Sequence, residues 1–191
     1  MVENKTIRIV EAALGDLDRI LELEHKGFVP GNRECREVYA RRIEVFPQGA
    51  LMAYVDSVCV GCFFSEIWRE ETLNSVESFQ LGHDIGDRHD SIRGKGLYVS
   101  SITVDPDYRG NGLGAHLFAA CIDRVCREFP AISSVNLLVS ESWTHARRIY
   151  RKLGFAEIAR LRGFFKSADS GADDGIVMGK SLDRLGDALA A

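Results

Sequence analysis

Arg109 is followed by glycines at alternate positions, Gly110, Gly112 and Gly114, between a strand-like run at 97–104 and an apolar helical run at 113–129. Glycines let successive backbone N–H groups converge on one point and reach φ > 0 where a turn needs it. The helix dipole adds partial positive charge there, and Arg109 adds a formal charge at the rim. This is chemistry for holding a phosphate. From the residues alone three readings stay open. A dinucleotide fingerprint needs GxGxxG, and the chain reads GNGLGA. A nucleotide P-loop needs Gly-Lys-Ser/Thr, which Leu113-Gly114-Ala115 does not supply. The third is a plain turn. Cys59 and Cys62 spell CxxC but lie in the strand-like run SVCVGCFFSEIW with no second pair at zinc spacing, so they read as packed thiols. No metal is expected.

The elements that must position these residues follow from periodicity and breakers. A strand at 7–10 precedes a helical stripe at 14–28, broken by Pro30-Gly31-Asn32, and a second helix at 33–46 that stops before Pro47. Strands at 50–55 and 58–68 share a two-residue link and form an antiparallel hairpin. Residues 69–96 are polar and glycine-rich, and read as a long substrate-side loop with one helical turn at 75–81. The strand at 97–104, the helix at 113–129 and the apolar strand at 135–139 make a βαβ-like unit. A helix at 142–153 ends on Gly154 as its C-terminal glycine. Strands at 155–161 and 175–182 close the chain, and the tail 183–191 reads as frayed or as a short helix. The fold class is mixed α/β with a partly antiparallel sheet, in a single domain spanning residues 1–191.

Apolar content of 46% with 27% charged residues suits a globular protein. The net charge of −4 argues against nucleic acid or an anionic membrane as partner. An odd cysteine count, five, with no leader pattern and no apolar run long enough to span a membrane fits reduced thiols and the cytoplasm.

With its flanks included, the glycine stretch resembles the GNAT superfamily of acetyl-CoA-dependent N-acetyltransferases. The family pattern V-x-P-x-[YF]-R-G-x-G-[IL]-G is met by Val104-Asp105-Pro106-Asp107-Tyr108-Arg109-Gly110-Asn111-Gly112-Leu113-Gly114, preceded by the apolar Ile102-Thr103. The second pattern, A-x-x-[IL]-Y-x-x-x-G-F, is met by Ala146-Arg147-Arg148-Ile149-Tyr150-Arg151-Lys152-Leu153-Gly154-Phe155. The resemblance covers at least residues 50–161. It implies a mostly antiparallel sheet whose central parallel pair splays around the cofactor, flanked by about four helices. It implies that the backbone of Arg109, Gly110, Asn111, Gly112, Leu113, Gly114 and Ala115 binds the pyrophosphate of acetyl-CoA, the acyl donor. The pantetheine arm would pair like an added strand with Ile102, Thr103 and Val104. Tyr150 takes the position of the family's tyrosine that protonates the departing thiolate, and a backbone N–H of the central strand would meet the oxyanion. Ala146 keeps the family's position against the cofactor. Trp143 stands where the family often has Asn, and an indole there would stack on or cover the arm instead.

The resemblance leaves the acceptor open. Some members carry a base on the first half of the central strand, where this chain has Tyr98 and Ser100. Candidate bases elsewhere are Glu66, His83 and His89, and Glu66, Glu70, Glu71 and Glu77 are available to line an acidic pocket. Freeing a lysine-like amine at neutral pH costs roughly 4 kcal/mol and an α-amine only about 1, so a weak base leans toward α-amines. The acceptor is expected to be a small amine of the arylalkylamine kind or, alternatively, a protein N-terminal or lysine amine, on a monomer or homodimer. The rival class is a non-catalytic acyl-CoA sensor.

Overall fold

The computed structural model describes residues 7–110, 112–167 and 171–182. Asn111 and the tail 183–191 lie outside them. The described chain runs β1 (Ile7–Glu11), α1 (Leu17–Gly27), α2 (Arg36–Val45), β2 (Ala50–Val55), β3 (Val58–Trp68), α3 (Glu70–Asn74), β4 (Gly96–Val104), α4 (Leu113–Glu128), β5 (Ser134–Ser140), α5 (Thr144–Lys152), β6 (Ala156–Lys166) and β7 (Ala172–Ser181). The strands form one seven-stranded sheet in the order β1-β2-β3-β4-β5-β7-β6, antiparallel except for β4 and β5.

Helices cover both faces, which is why β3 is buried along nearly its whole length. On one face, Leu117, Phe118, Cys121 and Val125 of α4, with Tyr150 of α5, pack on Phe63, Leu97, Val99, Val135 and Leu137. On the other, Leu17, Ile20 and Leu23 of α1 and Tyr39 and Ile43 of α2 pack on Met52, Cys62 and Phe64. Each such large side chain removed from water contributes about 1.5–3 kcal/mol. Cys59 and Cys62 both belong to this second layer. A β-bulge between Ala53 and Tyr54 opposes Ala53 to Gly61 and Tyr54 to Cys59, which turns the two thiols to one face. Burial pushes the Cys62 thiol up, as expected for a packed cysteine.

Several boundaries differ from the sequence reading, α1 beginning at Leu17 and α5 at Thr144 among them. The helical turn in the long loop comes earlier, at Glu70–Asn74, where Glu70 and Glu71 favour a helix N-terminus; only a single 3-10 turn, Val76–Ser78, falls within 75–81. α2 begins at Arg36 rather than 33. The closing hairpin is longer, with β6 reaching Lys166 and β7 starting at Ala172. The Asn32 side chain explains part of that extension: its Nδ2 donates to the Lys166 C=O at 2.8 Å and its Oδ1 accepts the Lys166 N–H at 2.7 Å. One amide thus ties the α1–α2 loop to the hairpin as a strand neighbour would.

Candidate active site

β4 and β5 pair only over Gly96–Val99 and Ser134–Leu137. Beyond Val99 the strands part, and among the described residues no strand pairs with residues 100–104 on that edge. A bulge causes the change of course: Ser65 faces Val99 and Phe64 faces Ser101, so Ser100 is the extra residue. β4 then enters a 3-10 turn at Pro106–Tyr108. Asp105 pins that turn, accepting the Asp107 N–H through Oδ1 and bonding Arg19 at 2.8 Å and Lys26 at 3.1 Å through Oδ2. Burial alone would raise its pKa, but these donors outweigh it and hold the carboxylate below its ordinary range.

After the turn the backbone is left-handed at Gly110 (φ +93°) and Gly112 (φ +79°), and Gly112 caps the start of α4. Apart from the glycine and its chain neighbours, no atom of the described residues lies within 4 Å of where a Cβ would stand at either position. The cradle is therefore open on the side that a phosphate would enter, with the N-terminus of α4 behind it. Arg109 is braced by its Nε–H, which donates to the Val104 C=O at 2.9 Å. An open cradle beside a strand edge that β5 leaves unpaired fits an acyl-CoA: diphosphate at the turn, amide-bearing arm along residues 102–104.

The turn, the unpaired stretch of β4 and α5 line one cavity of about 760 Å³. Ile102, Thr103, Val104, Arg109, Gly110, Gly112, Gly114, Ala115, Trp143, Ala146 and Tyr150 all contribute to its wall. Leu113 packs against the α4-side core instead. Tyr150 is 9% exposed, its ring 4.9 Å from Phe118, and burial raises its pKa, so the phenol keeps its proton at neutral pH. Gly154, at φ +90°, turns the chain so that the Phe155 N–H donates to the Tyr150 C=O at 3.0 Å, closing α5 just behind the tyrosine. Trp143 stands at the N-cap of α5, its indole between Phe28 (5.3 Å) and Phe165 (5.1 Å).

The acceptor-side candidates fall elsewhere. Glu66 is fully buried; its Oε1 and Oε2 each lie 2.9 Å from His83 Nε2, and Oε2 accepts from Trp68 Nε1 at 2.8 Å. Burial would raise its pKa, yet His83, Arg42 and Trp68 together hold it low. Neither Glu66 nor His83 is among the residues that line the cavity. His89 Nδ1 accepts the Ile67 N–H at 3.1 Å and its ring packs on Phe46, so it is committed to structure. Tyr98 lines the cavity but is stacked on Trp68 at 4.0 Å, and burial lifts its pKa. Glu70, Glu71 and Glu77 are exposed on the loop.

The carboxylates that do reach the cavity are Glu24 and Glu34, together with the Tyr39 phenol. The pattern of residue types had pointed elsewhere, although a signal existed: Glu24 falls four residues after Ile20 and four before Phe28, on the apolar stripe of α1.

Residues 17–155 match the acetyltransferase (GNAT) family. The [ribosomal protein bS18]-alanine N-acetyltransferase of Escherichia coli (strain K12) is 36% identical over 78 residues, 41% of this chain and 51% of that protein. The chain spans about half the length of the bS18-alanine relatives it matches. An N-alpha-acetyltransferase of Sulfurisphaera tokodaii is 26% identical over 169 residues, 87% of this chain and 90% of that protein. Among solved structures, the ribosomal-protein-S18-alanine N-acetyltransferase from Escherichia coli superposes with a TM-score of 0.71 at 18% identity, over 97% of this chain and 100% of that one. The matched stretch carries the cradle, the splayed strands and Tyr150, and on it the chain belongs to the acetyltransferase (GNAT) family.

Proposed function

We propose that this chain transfers an acetyl group from acetyl-CoA to a primary amine, with an α-amine at a peptide N-terminus as the leading acceptor. The observation that carries the reading is that the open glycine cradle, the unpaired edge of β4 and the Tyr150 phenol share one cavity. Acetyl-CoA supplies an activated thioester. The backbone at Arg109–Ala115 holds its diphosphate, and residues 102–104 hold its arm in extension, which spends main-chain groups rather than side chains. In this reading a β4 N–H beside the bulge at Ser100 meets the negative charge on the carbonyl oxygen. Tyr150 donates its proton to the leaving sulfur, whose thiol has a pKa of about 8.5 and departs more readily with a donor in reach.

The acceptor follows from chemistry and from the relatives. An α-amine gives up a proton at neutral pH for about 1 kcal/mol, a lysine amine for roughly 4. Two relatives are named for alanine and N-alpha acetylation, which supports the α-amine over a small arylalkylamine. The test follows thiol release from acetyl-CoA with a panel of an Ala-initiated peptide, a lysine-containing peptide blocked at its N-terminus, and phenethylamine. Release is expected first with the α-amine. Tight acetyl-CoA binding with no release for any amine would replace this reading with that of an acyl-CoA sensor.

A further inference from the structure

Glu24 is 2% exposed, lines the cavity, and has no cation bonded to it among the described residues. Its Oε1 accepts the Glu34 N–H at 3.0 Å and its Oε2 the Tyr39 hydroxyl at 2.7 Å. The cations nearby are engaged with other acids. Arg42 grips both oxygens of Glu34 and lies 3.7 Å from Glu66, which also pairs with His83. Three buried carboxylates thus share one guanidinium and one imidazole, and Glu24 is the acid left facing open space. Burial, the largest of its influences, raises its pKa.

A second observation lies across from it on β4. The hydroxyls of Ser101 and Thr103 are buried with no hydrogen-bond partner among the described residues. Ser101 pairs with Phe64 and Thr103 with Cys62, both of which belong to the layer that α1 and α2 cover. Both hydroxyls are therefore on the Glu24 side of the sheet, in the wall of the same cavity. Buried polar groups without partners mark a place where something polar is missing.

We propose that Glu24, braced by Tyr39 and the Glu34 backbone, receives the acceptor's ammonium group and takes its first proton, with Ser101 and Thr103 completing a site for amines that carry no adjacent carboxylate. This rests on the acetyl-transfer reading above. Glu24 takes one proton from the ammonium, and the freed lone pair forms the C–N bond to the acetyl carbon as the C–S bond breaks. Tyr150 gives its proton to the sulfur and recovers one from the nitrogen, which must lose a second. The proton on Glu24 passes to solvent, so one proton is released per turnover. The exclusion of carboxylates follows from charge. Arg42 is spent on Glu34 and Glu66, and the Asn32 amide on the Lys166 backbone. His145 and Lys152 line the cavity from α5, whose packed residues lie on the opposite face of the sheet. Arg109, the other cation in the wall, stands at the glycine turn, so a free amino acid would set its carboxylate beside Glu24 and Glu34, neither of which has a spare cation bonded to it among the described residues.

The experiment compares alaninamide with free alanine in the wild type and in Glu24→Gln. The readouts are kcat/KM by thiol release, the acetyl-CoA dissociation constant, and calorimetric binding of alaninamide to the CoA-loaded protein. The wild type is expected to prefer alaninamide by about 100-fold or more, as for an unpaired charge in a buried site. Glu24→Gln is expected to lose about 10²–10³-fold in kcat/KM and to lose alaninamide binding, with acetyl-CoA affinity unchanged. Tyr39→Phe keeps the carboxylate but removes a donor that lowers its pKa, so the acid limb of its kcat/KM profile should move to higher pH. The charged and titratable groups facing Glu24 are Glu34, Arg42, Tyr39 and Cys62, so Cys62→Ser controls for the thiol and should leave that limb in place. Equal use of alanine and alaninamide, or a folded Glu24→Gln with unchanged kcat/KM, overturns the proposal while acetyl transfer stands. An unmoved limb in Tyr39→Phe overturns it as well, should Glu24→Gln fail to fold. No thiol release from the wild type with any amine overturns both readings together.

Discussion

The two ends of the cavity are built from different materials. The proposed donor end is backbone: a turn with two left-handed glycines, a helix N-terminus and a strand edge that β5 leaves unpaired. Arg109, at the end of the turn, is exposed and is braced through its Nε–H on the Val104 C=O. The proposed acceptor end is side chains: Glu24, Glu34 and Tyr39 line it, and Arg42, Glu66 and His83 are paired behind them. Backbone groups cannot be mutated away and cost little to expose. Buried charges are expensive unless each is answered, so that end stores energy in its pairing. The difference predicts where a single substitution will harm folding and where it will harm only binding or turnover.

The largest effect should come from Arg42→Met. It leaves Glu34 and Glu66 buried beside each other without their guanidinium, and urea unfolding should show a loss of about 3–5 kcal/mol. Arg109→Met, at the exposed brace, should change stability by no more than about 0.5 kcal/mol while weakening acetyl-CoA binding. Equal destabilisation by the two would break the contrast. Next in size is Tyr150→Phe, which should cut kcat about 10²–10³-fold with acetyl-CoA affinity preserved, because only the proton donor is removed. Unchanged turnover would take the acid role from Tyr150. Smaller again is Gly112→Ala. Beyond its chain neighbours a Cβ there meets none of the described residues, so the free loop relaxes out of the left-handed conformation and acetyl-CoA binding must restore it at about 1–2 kcal/mol, read as a roughly tenfold loss of affinity.

The same contrast explains what was legible in the chain. The donor end is written in two contiguous stretches, Val104–Gly114 and Ala146–Phe155, because a turn and a helix cap are local structures whose residue types are set by φ and by close approach. The strands that flank them, and the parallel pairing of β4 with β5, follow from short-range pattern. The acceptor end depends on tertiary packing. Glu66 sits in an apolar run that announces burial, but nothing local says that His83 and Trp68 will seal it from the cavity. The bulge at Ser100 has no glycine or proline to mark it, yet it sets which β4 hydroxyls face α1. Glu24 falls on an apolar stripe, which the sequence shows; its bonds to Tyr39 and to the Glu34 backbone, from 15 and 10 residues further on, it does not.

The finest test sets one buried carboxylate against the other. Glu66 is held below its ordinary range, so its ionised form stabilises the fold; that contribution is present above the unfolded value and disappears as pH falls through the folded one. Glu24 is raised, so the folded state favours its protonated form; its contribution is full below the unfolded value and is lost as pH rises through the folded one. At pH 7 the two substitutions should therefore act in opposite directions. Glu66→Gln should lower the melting temperature and Glu24→Gln should raise it, each by roughly 2–4 °C, the shift that one kcal/mol makes in a chain of this size. At pH 4 both differences should shrink, because protonation removes the advantage of one carboxylate and the penalty of the other. A Glu24→Gln protein that melts lower than the wild type at pH 7 would mean that the carboxylate serves stability. One that melts higher while turning over more slowly would mark a charge kept at a cost to the fold, which is what an ammonium site without its ligand should look like.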